Sequence, residues 1–159
     1  MDEIIQKHRK QLEETFRKEK VVLAYLFGSQ ARGTAGPLSD VDVAVLFSDD
    51  VPKEKQFDKR LKIGSAITLL LHKDTDVIGL NAAPPLLKHR AVLHGDPIFV
   101  KDKSVQRSFE LRVLQEYEDF SYHLKNSHEL IKRRIKQRAL GVPHISSLTS
   151  KYLKRYVPG

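Results

Sequence analysis

Two aspartates, Asp40 and Asp42, stand one residue apart at the head of the apolar run VDVAVLF, residues 41–47. Side chains on an extended strand alternate between faces, so these two carboxylates point the same way. Held side by side they repel, and each resists ionisation. A divalent cation removes that penalty, and an all-oxygen donor set suits Mg²⁺ or Mn²⁺. A third acid, Asp76, stands in the run TDVIGLN, residues 75–81. If the two strands are neighbours, three carboxylates converge at one sheet edge, where they can hold two metal ions about 4 Å apart for in-line phosphoryl transfer. Asp74 competes as the third acid, but its position ahead of the strand reads better as turn.

Gly28 and Ser29 end the preceding apolar run. Glycine lets a ligand come close to the backbone, while the serine hydroxyl and the amides after it donate to phosphate oxygens. Arg32 can reach a phosphate as well. A nucleoside triphosphate with its metal ions satisfies all of these groups together. A lone Asp-x-Asp or Gly-Ser is a weak signal. The ordered set of strand, Gly-Ser, ten residues, Asp-x-Asp strand, helix and Asp76 strand is a specific one.

The elements that must position these residues are legible from periodicity. Residues 2–19 read as one amphipathic helix, with Ile4, Ile5, Leu12 and Phe16 near a single stripe. VVLAYLF (21–27) and VDVAVLF (41–47) are short β-branched and aromatic runs, which read as buried strands. A helix is expected over 53–72, with Phe57, Leu61, Ile67 and Leu71 on one face; Gly64 on that stripe costs about 1 kcal/mol against alanine and argues against an unbroken helix. TDVIGLN makes a third strand. PPLLKHRAVLHG is a short helix opened by prolines and ended by Gly95. PIFV (97–100) is an edge strand, because its proline cannot donate to a ladder. From Ser104 to about Arg138 runs one long helical pattern. The expected fold is α/β: a small mixed sheet of three or four strands flanked by helices, with a long C-terminal helix. The chain divides into a domain over 1–103, the long helix over 104–140 and a basic tail over 141–159.

The bulk composition narrows the function classes. Hydrophobic residues make up 40% and charged residues 30% of 159, enough for a core and too apolar for wholesale disorder. The chain has no cysteine, which excludes disulfides and thiolate metal sites and suits a reducing cytosol. No apolar run approaches the ~20 residues that span a bilayer, and the first ten residues carry no apolar signal core. The expected location is therefore the cytoplasm, with no membrane partner. The seven histidines show no H-x-x-x-H pairing, so no zinc site is argued. The net charge is +8, and KRRIKQR (132–138) carries five positive charges. Such a run fits a nucleic-acid or acidic-protein partner, but for a single run a solvated helix face is the favoured reading.

Gly28-Ser29, ten residues and then Asp40-x-Asp42 resemble the GSX10DXD signature of minimal nucleotidyltransferases in the polymerase-beta-type superfamily. The segment from TDVIGLN through APPLLKHRAVLHGDPIFV is similar to what those proteins carry around and after their third acid, so the resemblance covers about residues 20–100. It implies that Asp40, Asp42 and Asp76 bind the metal, with Asp76 also helping to activate the acceptor, and that Gly28 and Ser29 hold the triphosphate. It further implies ATP as substrate, Mg²⁺ as cofactor, and an antitoxin that transfers AMP to a tyrosine of a HEPN ribonuclease toxin. Two rivals keep the fold: an antitoxin that masks its toxin by binding alone, and a nucleotidyltransferase acting on a small molecule such as an aminoglycoside. The first leaves an intact acidic triad without a purpose. The second needs an acceptor pocket for which 159 residues leave little room.

The long helix carries its own expectation. About 35 residues at ~1.5 Å each extend roughly 52 Å, well past the ~30 Å of a small domain. Phe109, Val113 and Tyr117 should pack on the domain. Phe120, Leu124, Ile131 and Ile135 should meet a partner, either a second copy or a helical toxin.

Overall fold

The computed structural model describes residues 3–28 and 40–141. Ser29, Arg32 and residues 142–159 of the basic tail lie outside the described residues. The N-terminal segment is two helices, α1 (Glu3–Lys7) and α2 (Arg9–Lys18), where periodicity suggests one. His8 between them sits at φ −104° and ψ 14°, in the bridge region rather than the helical one. Ile5, Leu12 and Phe16 are buried as the stripe requires, whereas Ile4 stays on the exposed side.

Four strands follow the expected runs: β1 (Val21–Phe27), β2 (Val41–Phe47), β3 (Thr75–Gly79) and β4 (Asp96–Val100). They form one mixed sheet in the order β3-β2-β1-β4, so β4 is an edge, in keeping with Pro97. β1 is antiparallel to both β2 and β4, while β2 and β3 are parallel. A parallel pair cannot be closed by a tight turn and needs a crossover. Helix α3 (Lys53–Leu71) supplies it.

Strand alternation gives each face of the sheet its own core. Val41, Val43, Val45 and Phe47 pack with Leu12, Phe16, Ile63 and Ile67, so α2 and α3 cover one face. Ala44 and Leu46 pack with Leu23, Tyr25, Ala91, Phe109 and Val113, so the other face is covered by α4 (Pro85–His94) and the start of α5 (Lys103–Gly141). Each fully buried Leu, Val or Phe among these contributes about 1.5–3 kcal/mol by leaving water.

The expectations for α3 need correction. The helix is unbroken through Gly64, where an added Cβ would meet the Val77 side chain at 3.5 Å, an ordinary contact. Its buried stripe is Ile63, Ile67 and Leu71, spaced four apart; Phe57 and Leu61 are more than half exposed. The helix carries two apolar stripes, and the sheet covers only one. Helix α4 ends at Gly95 as expected, but in extended backbone rather than a left-handed cap. Glycine is required there by space, since a Cβ would fall 2.2 Å from the Ala91 carbonyl oxygen.

One ion pair ties α2 to the crossover. Lys59 donates to Glu19 Oε2 at 2.9 Å, and the side chains are only 20% and 11% exposed. Removing one partner strands the other charge, whereas replacing both with apolar groups is often neutral. Lys59→Met is therefore expected to lower stability by about 3 kcal/mol in urea unfolding, with most of the loss recovered on adding Glu19→Leu. Equal stability of the wild type and the single variant would show that the pair contributes nothing.

The chain forms two compact units, Met1–Tyr117 and Glu118–Gly159. The first holds the sheet and all helices up to Tyr117 within α5; there Phe109 and Val113 are buried, and Tyr117 stacks on His89 with ring centroids 3.7 Å apart. Of the described residues, the second unit consists of the remainder of α5. Its Phe120, Leu124, Leu130 and Ile131 are exposed, and Ile135 is half-buried. No helix among the described residues is long and apolar enough to cross a membrane.

Candidate active site

The end of β1, the head of β2 and the head of β3 meet at one end of the sheet. The parallel register sets Asp42 directly opposite Asp76, and Val41 opposite Thr75. Cross-strand neighbours in a ladder share a face, so the two carboxylates lie on the same side. That side is the one on which Ala44 packs. Asp40 is the exposed residue just before β2. Asp74 lies one residue before β3, and its backbone carbonyl accepts the Val41 N–H at 2.8 Å. Its structural contact is thus made by the main chain.

Gly28 completes the cluster from β1. It has φ +75°, and an added Cβ would lie 2.1 Å from Asp42 Oδ2. The Asp42 carboxylate therefore occupies the space that any other side chain at position 28 would fill. Only glycine meets both conditions, the left-handed backbone and the missing Cβ. Sequence reasoning assigned this glycine to ligand approach and missed its contact with Asp42, because no local pattern reports which side chain will lie over it.

The electrostatics follow from this crowding. Burial first, then the charge of Asp76, then that of Asp40 push the Asp42 carboxyl above its usual range. Among the described residues no group of three or more acids and histidines is drawn together closely enough to hold a metal ion. Of the expected three-carboxylate cluster, the ladder register brings together Asp42 and Asp76. The donor set is all carboxylate oxygen on strand ends, with a mutual repulsion that a divalent ion relieves. It fits Mg²⁺ or Mn²⁺.

Side-chain hydrogen bonds to α5 hold β1, the strand that ends just before Gly28. The Tyr25 hydroxyl donates to Glu110 Oε1 at 2.9 Å, and Gln106 Nε2 donates to the same oxygen at 2.8 Å. Burial and the hydrogen bond to Glu110 push the Tyr25 phenol upward, so it remains a donor. Lys88 of α4 pairs with Glu116 of α5 at 2.8 Å. Nothing in the sequence alone marks Tyr25 as more than an apolar strand residue.

Comparison with known proteins adds to this geometry. The chain is 34% identical over 80 residues to the protein adenylyltransferase MntA of Shewanella oneidensis, a match spanning 50% of this chain and 55% of that protein. The chain thus aligns with about half the length of that relative. Among solved structures, a chain of a toxin–antitoxin crystal structure with AMP-PNP superposes with a TM-score of 0.62 at 24% identity, covering 80% of this chain and 98% of that one. A chain of the tri-AMPylated Shewanella oneidensis HEPN toxin in complex with its MNT antitoxin gives 0.59 at 22% identity, covering 83% and 98%. These likenesses establish a shared fold. The model of the family "Polymerase beta, Nucleotidyltransferase" matches residues 10–104, which contain the sheet, Gly28, both aspartates of the Asp-x-Asp pair and Asp76. With most of its length inside that match, the chain belongs to the polymerase-beta nucleotidyltransferase family.

Proposed function

We infer that the protein is an antitoxin that transfers AMP from ATP to a tyrosine of a HEPN ribonuclease toxin and so neutralises it. The observation that carries this reading is the Asp42–Asp76 pair in register beside Gly28, within a nucleotidyltransferase-family segment. It is supported by the likeness to an adenylyltransferase and to chains from toxin–antitoxin complexes. ATP as the donor sets the place of action in the cytoplasm.

In this reading Asp40, Asp42 and Asp76 hold Mg²⁺, two ions in all, and Gly28, Ser29 and Arg32 hold the triphosphate. The bound metal supplies charge neutralisation for the phosphates. The acceptor hydroxyl oxygen bonds to the α-phosphorus, the bond from that phosphorus to the α,β-bridging oxygen breaks, and pyrophosphate leaves. The hydroxyl proton passes to a carboxylate oxygen of Asp76. Gly28 leaves the Asp42 carboxylate the room to take its position. The test is mass spectrometry of purified HEPN toxin after incubation with this protein, ATP and Mg²⁺. Discrete AMP additions on tyrosine, with loss of toxin ribonuclease activity, are expected. Neutralisation without any mass change would replace this reading with masking by binding.

The division of labour follows the expected segments, with residues 1–103 as the catalytic domain and the outer part of α5 as the toxin contact. Changing Leu124 and Ile131 together to Glu is expected to weaken toxin capture at least about a hundredfold while ATP affinity stays within about twofold, since both residues are exposed. Light scattering of the free protein checks whether the same stripe also joins two copies. Normal capture by the double variant would remove α5 from the interface.

A further inference from the structure

The outer stripe of α3 and the free edge of β3 enclose a cleft of about 560 Å³, with Phe57, Leu61 and Leu69 on one wall and Asp76 and Val77 on the other. Three large apolar side chains stand in water here: Phe57 is 57% exposed, Leu61 56% and Leu69 76%. The sheet has spent the α3 stripe it needs on Ile63, Ile67 and Leu71, so this second stripe is surplus to the fold.

The opposite wall can pair. Among the described residues β3 is the terminal strand, with β2 on its inner side only. Asp74 accepts from Val41 and Leu80 donates to Val45, so the even-numbered residues turn their main-chain groups toward β2. By alternation along the strand, the main-chain groups of Thr75, Val77 and Gly79 turn to the open edge. Unpaired edge groups beside an apolar wall are what an added strand requires. Arg60 closes the far end: its guanidinium lies 5.4 Å over the Phe57 ring, and its stem passes Gly79 at the distance where a Cβ would press on it.

Asp76 lines this cleft at the open edge of β3, while its register with Asp42 sets its carboxylate on the sheet face opposite α3. We propose that this edge is the acceptor channel: an extended segment of the protein substrate lies along β3, sets every second side chain, apolar, against Phe57, Leu61 and Leu69, and with the alternate side chain presents its hydroxyl on the other face, beside Asp76. β3 carries both a wall of the cleft and Asp76, and that shared strand selects this occupant over an unrelated partner. The inference rests on the AMP-transfer reading for the identity of the acceptor.

Two measurements test it, one independent of catalysis. Amide hydrogen exchange is followed for the full chain, alone and bound to purified HEPN toxin with a non-hydrolysable ATP analogue. The amides of Val77 and Gly79 should slow about tenfold or more in the complex. In parallel, Leu61→Glu and Leu69→Glu, both at exposed positions, should each lower kcat/KM for the toxin about tenfold or more and leave ATP affinity within about twofold. Protection without AMP transfer by the wild type would overturn the acceptor role together with the catalytic reading and leave the β3 edge as a docking surface for the toxin. Transfer at the wild-type rate by both variants, with no protection of β3 in the complex, overturns the channel and leaves the catalytic reading standing. Protection that appears in the free protein and grows with its concentration would assign the edge to a second copy and overturn the proposal.

Discussion

Asp42→Asn is expected to reduce AMP transfer by about three orders of magnitude, equivalent to about 4 kcal/mol of transition-state stabilisation, while the protein melts at the same temperature or slightly higher. The two directions have one cause. Asp42 faces Asp76 across the ladder, and burial, Asp76 and Asp40 all disfavour its charge. For an acid whose folded pKa is raised, the ionised form is less favourable in the folded state than in the unfolded one, so at neutral pH the charge works against folding. Asparagine keeps the shape and removes that cost together with the charge proposed to hold the metal. Single-turnover transfer followed by mass, beside thermal unfolding, reads both effects. Asp76→Ala should match the loss of transfer, whereas Asp74→Ala should be nearly silent, because the Asp74 contact to Val41 is made by a backbone carbonyl that alanine keeps. The reverse ranking would move the third ligand to Asp74. Undiminished transfer by Asp42→Asn would remove Asp42 from the catalytic machinery.

The second large effect needs no charge change. Gly28→Ala inserts a Cβ 2.1 Å from where Asp42 Oδ2 lies and asks alanine to hold φ +75°. The left-handed backbone alone costs about 1–2 kcal/mol. The clash is relieved most cheaply by rotating the Asp42 carboxylate away, so the damage falls on the site more than on the core. A loss of about a hundredfold in transfer is expected, the scale of a misplacement of about 1 Å at reacting groups, with cooperative unfolding retained in urea. Transfer near the wild-type rate would mean that the position of Asp42 over Gly28 is incidental.

The strands and the acidic pair were legible because their signals are local. VVLAYLF and VDVAVLF are β-branched runs of strand length, and Asp-x-Asp at a strand head needs only period two to place both acids on one face. Helix α5 was equally plain, its apolar residues recurring over many turns. What escaped depends on partners distant in the chain. Phe57 and Leu61 read as core because periodicity counts apolar residues without knowing which stripe the sheet will meet. The break at His8 is a one-residue change of ψ with no composition to announce it. The Gly28–Asp42 contact and the Asp42–Asp76 register are set by long-range pairing, which no window of sequence contains.

The parallel pairing of β2 with β3 also bears on the order of events when the chain folds. β1 and β2 are antiparallel neighbours in sequence, but β3 can join them only after the whole of α3 has crossed the sheet. Closing so long a loop precedes the contacts that reward it, so such pairings form late. The antiparallel pair is thus free to form before the charge of Asp76 is brought against Asp42, and that repulsion enters when β3 joins the sheet. On this ordering a nascent or half-folded chain has no complete carboxylate pair, and the newly made protein acquires it in one step, at crossover closure, rather than by degrees.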